Sequence, residues 1–272
     1  MADLSTSNTV ANRWLFTRQI GTSRENRPIL LHETAPFKAA SGGTLLIGGI
    51  HGDERATIHL LLSFQDRLLR ENRAELATLP IGIIPLANPD GFVKKSRANA
   101  AGVDLNRNFD AGWSPKGEEP PGPEPWSEPE TRALRDFIEY QRPHKIIALH
   151  WALGEVDPDG AQSLPLARTM WDGLSPSEKA PYRLREGGDP CPGSLGQWCG
   201  KALRYPDGTA PAIVTLELPF DPALPRPDPL PANHLEHLER HWQNDAQAYL
   251  AATQRAVHKM LAAACRFNAS KG

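Results

Sequence analysis

The sequence predicts an α/β protein: a mixed, mostly parallel central sheet with helices on both faces, made by a single domain spanning residues 1–272. Three observations lead there. Short apolar runs such as "TLLIGGI", "IGIIPL", "KIIALHW" and "AIVTLEL" lack the in-out alternation of half-exposed strands and read as strands buried on both faces. Between them lie segments with helical spacing, "ATIHLLLSFQDRLLREN" and "SEPETRALRDFIEYQ". Strands alternating with helices are what a parallel sheet covered on both sides requires. Finally, no internal repeat and no convincing linker divides the 272 residues, a length that suits one large α/β domain or two small ones.

The elements follow in order. "RQIGTSRENRPILLHE" holds two short strands around a polar turn, a hairpin for the sheet edge. "GGTLLIGGI" and the helical segment after it form a strand-helix unit, and "LPIGIIPLANPDG" is a strand closed by turn residues. In "SEPETRALRDFIEYQ", Ser127 is the expected N-cap, with Glu130 completing a capping box. "HKIIALHW" and "APAIVTLELPF" supply two further buried strands. Residues 233–266 read as one long terminal helix or two consecutive ones. The Pro-rich, acidic "WSPKGEEPPGPEPW" and "FDPALPRPDPLPAN" are surface excursions of the same domain. From Trp151 to Gly200 the periodicity is weak, and a loop that long is expected to be functional.

Composition removes several function classes. A net charge of -2, with no basic block, gives no electrostatic case for nucleic acid. No apolar run approaches the ~18 residues that would span a bilayer, so no membrane partner is expected. The N-terminal "MADLSTSNTVANRWLFTRQ" lacks an apolar h-region and a small-residue cleavage site. Cys191, Cys199 and Cys265 are too few and too scattered for a disulfide framework. Cys191 and Cys199 could pair, but reduced thiols in a cytoplasmic protein are the expectation.

Four residues stand out by position. His51 ends one buried strand, His150 ends another, Glu217 sits late in a third, and Glu54 lies in the first turn after His51. Ligands of open α/β sheets bind outside the carboxyl ends of the strands. Taken singly, each residue has an ordinary explanation, such as a hydrogen-bonded core imidazole or an acid at a helix start. Glu217 is the hardest to dismiss, because a carboxylate inside "IVTLELP" is costly to bury unless something stabilises it. Together, two imidazoles and one carboxylate make a zinc set with an open position, and the remaining carboxylate is the proton acceptor that hydrolysis needs.

The chain resembles the zinc metallocarboxypeptidases of the carboxypeptidase A type. The likeness is carried by "HGDE" (His51, Glu54), "GVDLNRNF" (Asn106, Arg107), "SEPET", "ALH" (His150) and "TLELP" (Glu217), in family order across most of the sequence. The resemblance implies a single carboxypeptidase-type domain holding one zinc ion per chain, with His51, Glu54 and His150 as ligands. It further implies Glu217 as general base, and Asn106 and Arg107 as the pair that grips a terminal carboxylate. "RANAAGVDLNRNF", "SEPET" and "PGSLGQWC" resemble most closely the murein peptide amidase branch. Those bacterial cytoplasmic enzymes cleave the γ-D-glutamyl–diaminopimelate bond of murein tripeptide during cell-wall recycling. A small peptide, most specifically a muropeptide, is therefore the expected partner. Arg97 is a candidate oxyanion stabiliser by position alone. Gly193 and Ser194 belong to the expected substrate side of the site. The sequence departs from the digestive enzymes after that Gly-Ser pair, where it has Leu195-Gly196-Gln197-Trp198-Cys199 in place of a capping Tyr. Tyr205 is a candidate neighbour.

Other readings compete. His234, His237 and His241 share a helix face but lack the adjacent Glu of the metalloprotease helix motif. "GGIHGDE" lacks the spacing and Lys of a phosphate loop. An N-acyl-amino-acid deacylase of the aspartoacylase kind shares the His-x-x-Glu, Asn-Arg and late-Glu features and is the runner-up function. A zinc-binding protein without activity is the third, and the presence of Glu217 argues against it.

Overall fold

The computed structural model describes residues 15–34, 43–70, 79–117, 119–187, 191–230 and 234–268, excepting the side chains of 234–241, 243 and 244. One eight-stranded sheet organises them. Its strands are β1 (Phe16–Thr22), β2 (Pro28–Glu33), β3 (Thr44–Ile47), β4 (Ile81–Ile84), β5 (Lys145–Trp151), β6 (Glu155–Pro158), β7 (Arg183–Leu184) and β8 (Ala212–Leu218). Their spatial order is β1-β2-β4-β3-β5-β8-β6-β7. The central strands β4, β3, β5 and β8 are mutually parallel. The β1–β2 hairpin adds to β4 antiparallel at one edge, as the sequence predicts. At the other edge β6 runs antiparallel to β8 and carries β7 parallel to it.

Seven helices accompany the sheet among the described residues: α1 (Arg55–Arg70), α2 (Pro89–Lys94), α3 (Pro129–Gln141), α4 (Leu164–Asp172), α5 (Pro176–Lys179), α6 (Leu195–Gln197) and α7 (His234–Arg266). Strand residues of alternating parity enter two separate cores. Leu46, Ile147, Leu149, Val214 and Leu216 pack with Phe64 of α1, Met170 of α4 and Met260 of α7. Leu45, Ile47, Ile146, Ala148 and Ile213 pack with Leu134 and Ile138 of α3 and with Leu195 and Trp198. Each fully buried Leu or Ile contributes roughly 1.5–3 kcal/mol of transfer free energy. Burial on both faces is why these strands read as unbroken apolar runs. By the same parity, His150, Thr215 and Glu217 fall on the α3 side, where the apolar pattern gives way to polar residues at the carboxyl ends of the strands.

Two expectations need correction. Helix α3 begins at Pro129 with Glu128 as its cap residue and no side-chain cap hydrogen bond, so Ser127 and Glu130 form no capping box. Asn108 takes over instead: its Oδ1 accepts from Glu128 N at 3.1 Å and from Thr131 Oγ1 at 2.8 Å. Glu130 turns away to accept from Arg24 N and Asn99 Nδ2. The stretch from Trp151 to Gly200 is also no bare loop, since it contains β6, β7, α4, α5 and α6. Strands of two and four residues are too short to show a period. Helix α7 is interrupted at Asp245 (φ -155, ψ 73), which supports the reading of two consecutive helices. The side chains of His234, His237 and His241 lie outside the described residues. No described helix is long and apolar enough to cross a membrane.

Candidate active site

Two adjacent strands and one turn build the site. His150 and Glu217 are register partners on β5 and β8, which places their side chains next to each other on one face. His51 lies four residues beyond the last residue of β3, and Glu54 immediately precedes α1. Thr57 ties that turn together, donating from Oγ1 to Glu54 O at 2.7 Å and accepting from Gly49 N at 3.1 Å.

His51, Glu54 and His150 are all buried, and one potential ligand atom from each lies within 4.8 Å of the other two. The two Nδ1 atoms are 3.3 Å apart. Glu54 Oε1 is 2.6 Å from His51 Nδ1. Glu54 Oε2 comes within 3.2 Å of His150 Nδ1, yet it is buried without a hydrogen bond. Two imidazole nitrogens facing one another beside an unsatisfied carboxylate oxygen fit a cation between them. Two nitrogens and a carboxylate also match the ligand preference of zinc, leaving room for a further ligand.

The electrostatics of the same centre follow from its burial and its mixed charges. Burial alone would lower the pKa of His51, but the Glu54 and Asp104 carboxylates reverse this and raise it to about 9. Burial opposes ionisation of Glu54, yet His51 and His150 hold it down at about 2. Burial depresses His150, with Glu54 only partly offsetting it. Burial raises Glu217 to about 8, and the Glu54 charge adds to the effect. The two glutamates are thus driven apart, one ionised and one able to carry a proton near neutrality, which is how paired carboxylates divide acid-base roles. Glu217 Oε2 accepts a long 3.4 Å bond from Leu153 N and remains partly exposed.

Asp104 is a residue the sequence reading passed over, although it stands in "GVDLNRNF". It accepts from His51 Nε2 at 3.1 Å and from Arg97 Nε at 2.9 Å. With Nε2–H committed to Asp104, His51 presents Nδ1 to the centre, the orienting role that carboxylates play behind ligating imidazoles. Despite its burial, the His51 bond and the Arg97 charge hold Asp104 well below the usual carboxylate range. Asp104→Asn is expected to weaken zinc binding by roughly 10–100-fold with the fold intact. Chelator competition on the purified variant checks this, and unchanged affinity would remove Asp104 from the centre.

Arg97 lies at the site: its Nη1 is 3.2 Å from His51 Nδ1 and 3.8 Å from Glu54 Oε1. Arg107 ends a short 3-10 turn, Leu105–Arg107, and its Nη2 pairs with Glu119 Oε2 at 3.1 Å. The guanidinium therefore already holds a carboxylate from the chain itself. Asn106 Oδ1 accepts from Leu195 N at 3.0 Å, which leaves its amide nitrogen, a donor, for a ligand. Gly193 braces this segment, accepting from Phe109 N and donating to Ala111 O, both at 2.8 Å. Its φ is +75°, and a Cβ there would sit 2.3 Å from Arg107 O, so only glycine fits. Ser194 is buried and spends its hydroxyl on Gln197 N at the start of α6. Tyr205 is not a neighbour of the site. It is buried in the core and donates to Pro143 O at 2.8 Å. Cys191, Cys199 and Cys265 are free thiols.

A family model described as zinc carboxypeptidase matches residues 8–152, more than half of the chain. The chain belongs to the zinc carboxypeptidase family. It is a hydrolytic enzyme of a zinc-dependent family by that membership, and a His-Glu-His group that could hold a metal ion is present in its structure. It is 30% identical over 198 residues to murein peptide amidase A of Escherichia coli K12, covering 67% of this chain and 76% of the relative. With the Vibrio campbellii enzyme of the same name it shares 31% over 205 residues, covering 70% and 74%. Among solved structures, bovine thrombin-activatable fibrinolysis inhibitor shares the fold with a TM-score of 0.69 at 19% identity, over 93% of this chain and 89% of that one. Murein-tripeptide amidase from Escherichia coli O157 does so with a TM-score of 0.57 at 24% identity, over 92% and 95%.

Proposed function

We infer that this member of the zinc carboxypeptidase family removes the C-terminal residue of a short peptide, and specifically cleaves the γ-D-glutamyl–meso-diaminopimelate bond of murein tripeptide. The observation that carries the reaction class is the convergence of His51 and Glu54, from the turn after β3, with His150 and Glu217 at the carboxyl ends of β5 and β8. The murein substrate is supported by the 30–31% identity to murein peptide amidases. The sequence relatives reported above are murein peptide amidases, and the deacylase reading finds no support among them.

In this reading residues 1–272 act as one catalytic domain, working in the cytoplasm during cell-wall recycling. His51, Glu54 and His150 hold one zinc per chain. Zinc there supplies Lewis-acid polarisation of the scissile carbonyl and of water. Glu217 accepts the proton released in attack and returns it to the departing amine. Arg97 faces the oxyanion that develops. Arg107, with Asn106, takes the terminal carboxylate in bidentate fashion once Glu119 yields its place. Gly193 and Ser194 shape that side of the pocket by fixing the segment against Arg107.

The test uses two peptides. L-Ala–γ-D-Glu–diaminopimelate presents a free carboxylate beside the scissile bond, whereas a tetrapeptide extended by D-Ala turns it into an amide. With the tetrapeptide, Arg107 has no carboxylate beside the scissile bond to take in exchange for Glu119, so the clamp adds nothing to the binding of that peptide. Release of diaminopimelate from the tripeptide is expected, with little or none from the tetrapeptide. Arg107→Ala should slow the first reaction and shrink the difference. Equal rates on both peptides would dismiss the clamp, and inactivity on both would dismiss the substrate.

A further inference from the structure

Beyond the catalytic group lies a buried carboxylate that the reaction does not use. Asp159 follows β6 and donates its backbone N–H to Ile213 O at 3.0 Å, continuing the β6–β8 register in which Asp157 faces Thr215 and Glu155 faces Glu217. By that parity Asp159 shares a sheet face with Thr215 and Glu217. Thr215 Oγ1 donates to Asp159 Oδ2 at 2.7 Å. Thr215 and Glu217 are two residues apart on one strand face, about 7 Å, the span of a four-carbon side chain with a terminal group.

The chain makes room for this carboxylate. A Cβ at Gly196 would lie 2.5 Å from both Asp159 carboxylate oxygens, and one at Gly200 would lie 2.0 Å from Asp159 O. Gly196 is in α6, whose first residue, Leu195, is bonded to Asn106. One continuous wall therefore runs from the Arg107 turn to Asp159. The side chain is only 7% exposed, and among the described residues it forms no ion pair. Lys201, whose charge acts on it, is exposed and bonded to Gln197. Asp157, a neighbouring acid on this face, has Arg185 at 3.9 Å. Burial pushes Asp159 up to about 7, against the Thr215 bond. A carboxyl held like this gains most from a cation brought to it.

We propose that Asp159 is a specificity-determining residue that binds an amino group on the side chain of the substrate's terminal residue, while Arg107 holds that residue's carboxylate. This rests on the reaction class inferred above and names what that site selects. In murein tripeptide the group read by Asp159 is the distal ammonium of diaminopimelate, which lysine also carries at the same distance from its α-carbon.

The experiment compares L-Ala–γ-D-Glu–L-Lys with its norleucine counterpart, which has the same side-chain length and no amine. Wild-type enzyme is expected to favour the lysine peptide in kcat/KM by about 30-fold or more, the effect of pairing a buried charge. Asp159→Asn keeps the shape and an acceptor for Thr215. It should lower the lysine value to near the norleucine value while the norleucine value and zinc content stay as in wild type. Equal wild-type rates on the two peptides would overturn the inference whatever the variant does, as would an Asp159→Asn enzyme that keeps the preference. Hydrolysis of neither peptide by zinc-loaded wild type would overturn the γ-glutamyl reading and this inference with it. Hydrolysis of both at one rate leaves the reaction standing and removes Asp159 alone.

Discussion

Glu217→Gln is expected to reduce turnover by roughly two or more orders of magnitude while zinc content stays at the wild-type level. The substitution preserves the volume beside His150 and an acceptor oxygen for Leu153 N, so the β5–β8 edge has no cause to rearrange. What disappears is the ability to take a proton. Without metal, burial and the Glu54 charge keep this carboxyl protonated up to about 8. A cation between Glu54 and the imidazoles offsets that repulsion, so zinc loading should move the Glu217 titration downward. Isotope-edited infrared spectroscopy of the carboxyl band in apo and loaded protein reads this directly. Near-normal turnover in Glu217→Gln would remove Glu217 from the mechanism, and loss of zinc would make it a ligand instead.

The second large effect is loss of the metal itself. His150→Ala and His51→Ala should each abolish stoichiometric zinc and, with it, activity. The two variants differ in what they leave behind. His150→Ala deprives Glu54 of one imidazole but keeps the His51–Glu54 contact of 2.6 Å. His51→Ala also takes one partner from Asp104, which keeps Arg97 Nε and Asn106 N. Wild-type protein should gain thermal stability on zinc addition, about 2.7 kcal/mol when free metal is a hundredfold above Kd. Both variants should show no such gain. Metal analysis after gel filtration and calorimetry with added zinc check this together. Tight stoichiometric zinc in both variants would move the centre elsewhere, with the histidines of α7 as the next place to look.

The behaviour of Arg107 illustrates how a residue can be found by sequence while its state cannot. The motif "LNRNF" marks it, but only the fold brings Glu119, from a Pro-rich excursion, onto its guanidinium. A residue twelve positions away in an irregular segment leaves no periodic signal. Asn108, in the same motif, is a second case. Its amide donates to Pro121 O, Glu124 O and Ser127 Oγ while its carbonyl caps α3, so one side chain fastens the whole excursion. Ser127 loses the capping role that its local sequence promises because a better-placed acceptor arrives from elsewhere in the chain.

By itself the sequence determined the central strands β3, β4, β5 and β8, the long helices, and the presence of His51, Glu54, His150 and Glu217 at one rim. Those features follow from local rules: apolar runs mark strands buried on both faces, helical spacing marks the covering layers, and strand ends of a parallel sheet point one way. The tertiary structure alone decided which carboxylates work together. Asp104 behind His51, Glu119 on Arg107 and Asp159 under Thr215 are joined to their partners across 53, 12 and 56 residues of chain. It also decided the β6–β7 edge, where β6 is held by pairing with β8 and β7 by pairing with β6 rather than by any pattern of their own. The physical reason is common to all of these. A charge buried far from its sequence neighbours takes its pKa, its orientation and its chemical use from groups that only the folded chain brings within hydrogen-bonding distance.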